Sequence, residues 1–123
     1  ELPAIDYSAL KTAVDSLKAS ANQLNKVIES GLEGIKQPEK LNVLLYQAEK
    51  QLLSADGLPR RPWYKHTIYA PGFYTGYGVK TLPGLREGVE EYHGEEVKQQ
   101  VAVLTSSIRN LSAALDKAAA LVK

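Results

Sequence analysis

The chain has 123 residues, 15 Lys and Arg against 14 Asp and Glu for a formal net charge of +1, and no cysteine. That length suits one domain with a core of its own, and the near-balance of charge gives no electrostatic case for nucleic acid or for an anionic membrane. Disulfides and thiolate metal sites are excluded. No apolar run is long enough to span a bilayer, and no signal peptide is visible. The chain opens at Glu1 rather than Met, which points to processing or to excision from a longer protein.

In chain order, the first five residues contain Pro3 and read as an extended lead-in. Asp6 and Ser8 both offer the short side-chain oxygen that caps a helix start. Leu10, Val14, Leu17, Ala21, Leu24 and Ile28 then step by four and three residues, which makes one stripe on one helix face. Gly31 and Gly34 end that helix. Pro38 suits the first turn of a second helix, whose seam is Leu41, Leu45, Ala48 and Leu52, widened by Leu44 and Leu53. Asp56-Gly57 is a stop signal. Pro83-Gly84 opens a short third helix carrying Leu85 and Val89, weakened by Gly88 and broken at His93-Gly94. The last helix holds the alternation unbroken through Val97, Val101, Leu104, Ile108, Leu111, Leu115, Ala118 and Val122. Its Glu95 and Glu96 complement the positive end of the helix dipole.

These patterns predict helices over about 8–30, 38–54, 84–92 and 95–122, with a loop over 57–83, all in a single domain spanning 1–123. Helices with one apolar stripe each are most economically packed as an all-α four-helix bundle. In that arrangement Leu104, Ile108 and Leu111 are buried against the first two helices.

The stretch 57–84, GLPRRPWYKHTIYAPGFYTGYGVKTLPG, is unlike its surroundings. It holds six of the chain's nine aromatic residues and four of its six prolines, so no long helix crosses it. Its aromatic content argues for an ordered loop between the second and third helices. Within it Trp63 reads as a core plug, and Arg60 or Arg61 as partners for carboxylates. The interleaving of Arg60, Arg61, Trp63, Tyr64 and Lys65 also fits single-stranded nucleic acid, but neighbouring residues do not share a face. Phe73-Tyr74-Thr75-Gly76-Tyr77-Gly78 is the piece best suited to a ligand, because glycines let the backbone come close and tyrosine offers a ring and a hydroxyl. No catalytic set stands out. His66 and His93 have no HExxH pattern or carboxylate at ligand spacing; His66 suits hydrogen bonding to loop backbone, and His93 suits free carbonyls at a helix end. Asn110-Leu111-Ser112 is a glycosylation sequon, but its place within the last helix favours chance occurrence.

The run from Gly57 to Pro71, followed by Tyr77-Gly78 and Leu82-Pro83-Gly84, resembles the C-terminal helical domain of the glutamate carboxypeptidase II family, also called the transferrin receptor-like dimerisation domain. The resemblance covers most of the chain and implies a non-catalytic domain of a zinc metallopeptidase. Its implied partners are the parent's protease and apical domains and the second subunit of a homodimer, with peptide substrate met only in the parent. No cofactor is expected in this domain. The two zinc ions and their ligands belong to the family's protease domain, none of which is present. In such enzymes a Lys-Tyr pair in this loop reaches the neighbouring cleft and holds the carboxylates of a C-terminal glutamate. The tyrosine falls on Tyr77 and the lysine position on Gly76, which has no charge to offer. The resemblance further implies a single-pass membrane parent with this domain extracellular or luminal. The alternatives are a freestanding helical interaction module and a domain of a catalytically inactive, receptor-like parent.

Overall fold

The computed structural model describes residues 4–31, 33, 35–71 and 79–122. Among the described residues the fold is all-α but for one short ribbon, with four helices: α1, Ser8–Glu29, α2, Pro38–Gln47, α3, Pro83–Glu90, and α4, Gly94–Val122. A 3-10 turn, Ala48–Leu52, continues α2. Strands β1, Tyr69–Pro71, and β2, Val79–Thr81, pair antiparallel with Tyr69 opposite Thr81 and Pro71 opposite Val79.

The 29-residue α4 is the hub, for α1, α2, the 3-10 turn and α3 all pack on it. Two apolar clusters lie along its length. Toward its C-terminal end Leu24 and Val27 of α1 and Leu41 of α2 close over Ala118 and Ala119. Nearer its middle Leu104 and Ile108 meet Ala13 of α1, with Leu10, Leu17, Ile68, Leu82 and Leu85 packed around them. Leu104 and Ile108 are thus buried against α1, α3 and the loop base rather than against α2, and Leu111 is only half-buried.

The face of α1 that meets α4 is rotated from the stripe of large residues. Ala13, Ser20, Leu24 and Val27 are buried, whereas Val14 is 45% exposed. The two stripes share Leu10, Leu17 and Leu24 and differ by one residue at the steps between. Small side chains at 13 and 20 let the two backbones approach, which a larger residue there would prevent. The buried hydroxyls on α4 are satisfied inside the helix, Thr105 donating to Val101 O at 2.7 Å and Ser112 to Ile108 O at 3.1 Å. Ser112 belongs to the sequon, and Asn110 beside it is exposed.

The helix starts use several devices. Ser8 begins α1 without capping it; Asp6 accepts the Ser8 amide at 2.9 Å from just outside the helix, and hydrogen bonding from the Ser8 side chain, and then from that amide, holds the Asp6 carboxyl below its ordinary value of 3.8. α1 ends before Gly31, whose φ of +111° only glycine adopts without strain; Gly34 lies outside the described residues. Gly88 has a packing reason for its place in α3. A β-carbon there would stand 2.9 Å from Val97 Cγ2, and Val97 is fully buried, so the missing side chain is what lets α3 lie close on α4. No helix among the described residues is long and apolar enough to cross a membrane.

Candidate functional site

The base of the loop is where this fold departs from a plain helical scaffold, and it is built by a tight double turn. Gly57 takes a φ of +71° and Arg60 one of +63°. Leu58 N–H donates to Tyr64 O at 2.9 Å, Arg61 N–H to Leu58 O at 2.9 Å and Tyr64 N–H to Arg61 O at 3.0 Å. The interior of this knot has no room to spare, since a β-carbon on Gly57 would lie 2.6 Å from the Pro62 backbone. Leu58, 5% exposed, fills the centre.

Trp63 does not take the plug role expected of it, being 67% exposed. With Leu58 and Arg61 turned inward, residues 62 and 63 form the outward bend of the second turn and face solvent. The tilted Trp63 and Tyr64 rings sit 6.2 Å apart.

Arg61 is the anchor. Its side chain is 5% exposed and pairs with Glu87 of α3, whose side chain is 10% exposed. The guanidinium also stands 5.3 Å from the centre of the Tyr64 ring. Beside it, more exposed, Arg60 donates to Glu96 of α4 at 2.8 Å, and the other oxygen of Glu96 lies 2.9 Å from His93 Nδ1. Both arginines therefore meet carboxylates, one on each of the two helices that follow the loop. His93 engages a side chain, not the free carbonyls expected for it, because Glu96 one turn ahead brings its carboxylate within reach.

The ascending limb is tied to the 3-10 turn. Thr67 donates to Leu52 O through both its amide, at 2.9 Å, and its hydroxyl, at 2.7 Å. Lys65 Nζ reaches Ala55 O at 2.6 Å. Ile68 N–H donates to His66 Nδ1 at 3.2 Å, so the ring proton sits on Nε2, which faces Glu49 Oε1 at 3.3 Å. Tyr69 stacks on His66 with ring centres 4.1 Å apart and donates its hydroxyl to the same Glu49 oxygen at 3.0 Å. That bond, and then the charge of Glu49, raise the Tyr69 phenol above its ordinary 10.0. From Tyr69 the chain enters β1; β2 returns it to Leu82, which takes a φ of +47° and starts α3.

Chemically this is a holder. The two histidines serve separate carboxylates, and among the described residues no three His, Asp or Glu side chains gather as a metal ion would require. Tyr77 and Gly76, with Phe73, Tyr74, Thr75 and Gly78, lie outside the described residues. The β1–β2 ribbon pairs 69–71 with 79–81, and the ion pairs hold the loop base from which it leaves the scaffold.

Glu49, Glu87 and Glu96 hold the loop base, and of the three the sequence reading marks only Glu96, for its place in the first turn of α4 and not for a partner in the loop. Glu87 did leave a trace. It shares a helix face with Gly84 and Gly88, and a carboxylate on so closely packed a face needs a cation.

Comparison with known proteins agrees with this architecture. Residues 5–116 match the family described as the transferrin receptor-like dimerisation domain. The chain is 33% identical over 118 residues, 90% of its length, to an Arabidopsis thaliana protein named "Probable glutamate carboxypeptidase LAMP1". It is 33% identical over 73% of its length to "Probable glutamate carboxypeptidase" of Arthroderma benhamiae, and 32% identical over 53% of its length to "Vacuolar protein sorting-associated protein 70" of Saccharomyces cerevisiae. It spans only 17%, 13% and 8% of those proteins respectively. With a match that runs over nearly its whole length, the chain belongs to the transferrin receptor-like dimerisation domain family found in glutamate carboxypeptidase-like proteins.

Proposed function

We propose that this chain is the non-catalytic C-terminal domain of a longer glutamate carboxypeptidase-like zinc peptidase, where it helps to form a homodimer and closes one side of the substrate cleft with its 57–84 loop. The observation that carries the reading is the family match over residues 5–116, with matched relatives several times longer than this chain. The anchored loop base supports the second role. The base of the loop is held at Arg60, Arg61, His66 and Tyr69, and a wall that positions substrate needs a base so fixed.

In this reading Tyr77 contributes a hydroxyl to the bound peptide. Gly76 stands where the family has lysine, so a C-terminal glutamate is held with one charge fewer and the preference for it is weakened. Zinc and the catalytic base sit in the parent's protease domain, and this chain alone hydrolyses nothing. Its partners are the parent's protease and apical domains and a second subunit. The parent is anchored by one membrane span with this domain extracellular or luminal. A catalytically inactive, receptor-like parent is the second reading.

Tyr77→Phe in the longer protein tests the cleft role. Loss of one hydrogen bond to a charged group should lower kcat/KM by roughly 1.5–3 kcal/mol, about tenfold to a hundredfold. Unchanged kinetics would reduce the loop to packing. The sequence preceding Glu1 tests the parent itself, which must carry a zinc-peptidase domain.

A further inference from the structure

The two histidines are wired in opposite senses. His93 Nδ1 lies 2.9 Å from Glu96 Oε2, and a carboxylate only accepts, so that nitrogen already carries the ring proton. A second proton enters at Nε2 and costs His93 no bond. His66 is the reverse. Its Nδ1 accepts the Ile68 N–H at 3.2 Å, as Asn and Asp side chains do with the amide two residues on. Its Nε2 carries the proton and faces Glu49 Oε1 at 3.3 Å. A second proton can enter only at Nδ1, where it meets the Ile68 N–H head-on.

The surroundings decide which contact gives way. The backbone on either side of His66 is pinned, Ser54 N–H donating to Lys65 O at 2.7 Å and Thr67 N–H to Leu52 O at 2.9 Å. The ring is stacked on Tyr69 and shares one Glu49 oxygen with it. The titratable groups that line a shallow pocket with His66 are Glu49 and Lys50 of the 3-10 turn, Tyr46 of α2 and Tyr69 of β1; Lys65 is turned away to Ala55 O. Of these Glu49 is the anion within reach of Nε2, and a charged ring bonds to it more strongly. The ring therefore stays, and the Ile68 N–H loses its acceptor. Ile68 is no neutral bystander, for its carbonyl accepts the Leu82 N–H and its side chain packs with Leu82 in the core. It ties the start of β1 to the residue that follows β2 and opens α3.

We infer that His66 is an acid-sensitive latch at the root of the β1–β2 ribbon: protonation at Nδ1 releases the Ile68 amide and loosens the ribbon where it joins the scaffold. Histidine changes charge within about pH 5–8, so the latch is closed at the alkaline end of that range and open at the acid end. The inference concerns the loop base itself and stands whether or not the loop walls a cleft.

The test follows the isotope-labelled chain by NMR across that same range, about pH 8 down to about pH 5. Ring nitrogen shifts should place the His66 proton on Nε2 at the alkaline end and add the second at Nδ1 in acid. The amide shifts of Ile68, Tyr69 and Leu82 should move together with the His66 ring. Hydrogen-exchange protection at Ile68, corrected for the intrinsic rate, should fall about tenfold or more. His66→Asn keeps an acceptor for the Ile68 N–H and does not titrate, so it should hold that amide fixed across the range. His93→Gln should leave the response intact. A proton on Nδ1 at the alkaline end, a His66 ring that charges while Ile68 and Leu82 stay still, or a response that survives His66→Asn would overturn the inference. If His66→Asn folds poorly, the unaltered chain decides through the first two.

Discussion

Removing the Glu87 carboxylate tests the anchoring of the loop most sharply. In the native chain the Arg61 and Glu87 side chains are 5% and 10% exposed, so water compensates little for losing either. Breaking a buried ion pair from one side costs about 3–5 kcal/mol, because a charge stays in a site built for two. A domain of this size is stable by about 5–15 kcal/mol in all. Glu87→Ala should therefore remove about a fifth or more of the stability in a urea melt. Replacing both partners, as in Arg61→Met with Glu87→Leu, should recover much of the loss, since a well-packed apolar pair avoids the desolvation penalty. Hydrogen exchange at the Leu58, Arg61 and Tyr64 amides should accelerate in the single variant before the rest of the chain does, for these bonds close the knot around Arg61. A loss below about 1 kcal/mol, the range of exposed pairs, would show that the pair is not what holds the loop to α3.

Leu104→Ala should cost roughly 2–5 kcal/mol in the same melt, as buried large-to-small changes do, and Leu111→Ala clearly less, since Leu104 is 4% exposed and Leu111 only half-buried. Equal losses would mean the α4 stripe is turned otherwise. The Tyr69 phenol should titrate above its ordinary 10.0 in an ultraviolet pH titration, and Glu49→Gln should bring it down. Because the folded value is raised, this group's contribution to stability is fully present below the unfolded value and is lost as pH rises through the folded one.

Much of this architecture was readable from periodicity. The stripe on α4 appears in the structure along the helix predicted for it, and both loop arginines meet carboxylates. Where the reading missed, the reasons are physical. On α1 large residues outlined a stripe through Val14, but the tightest contact selects small side chains, Ala13 and Ser20, and periodicity weighted by hydrophobicity passes over them. Trp63 suits an interior by the area an aromatic buries, yet a double turn has one inside, and Leu58 with Arg61 fills it. The carboxylates of the loop base lie 17, 26 and 36 residues from their partners. No local pattern pairs residues so far apart, and only the seating of the helices on α4 brings them together.

The central claim is that this chain is a dimerisation domain, and the direct measurement is sedimentation equilibrium of the longer protein beside the isolated chain, across a wide range of concentration. The longer protein should hold the mass of a homodimer at every concentration. The isolated chain, keeping part of the interface, should stay monomeric when dilute and self-associate weakly when concentrated. A longer protein that remains monomeric at high concentration would contradict the claim and leave the loop's part in the cleft as the only role.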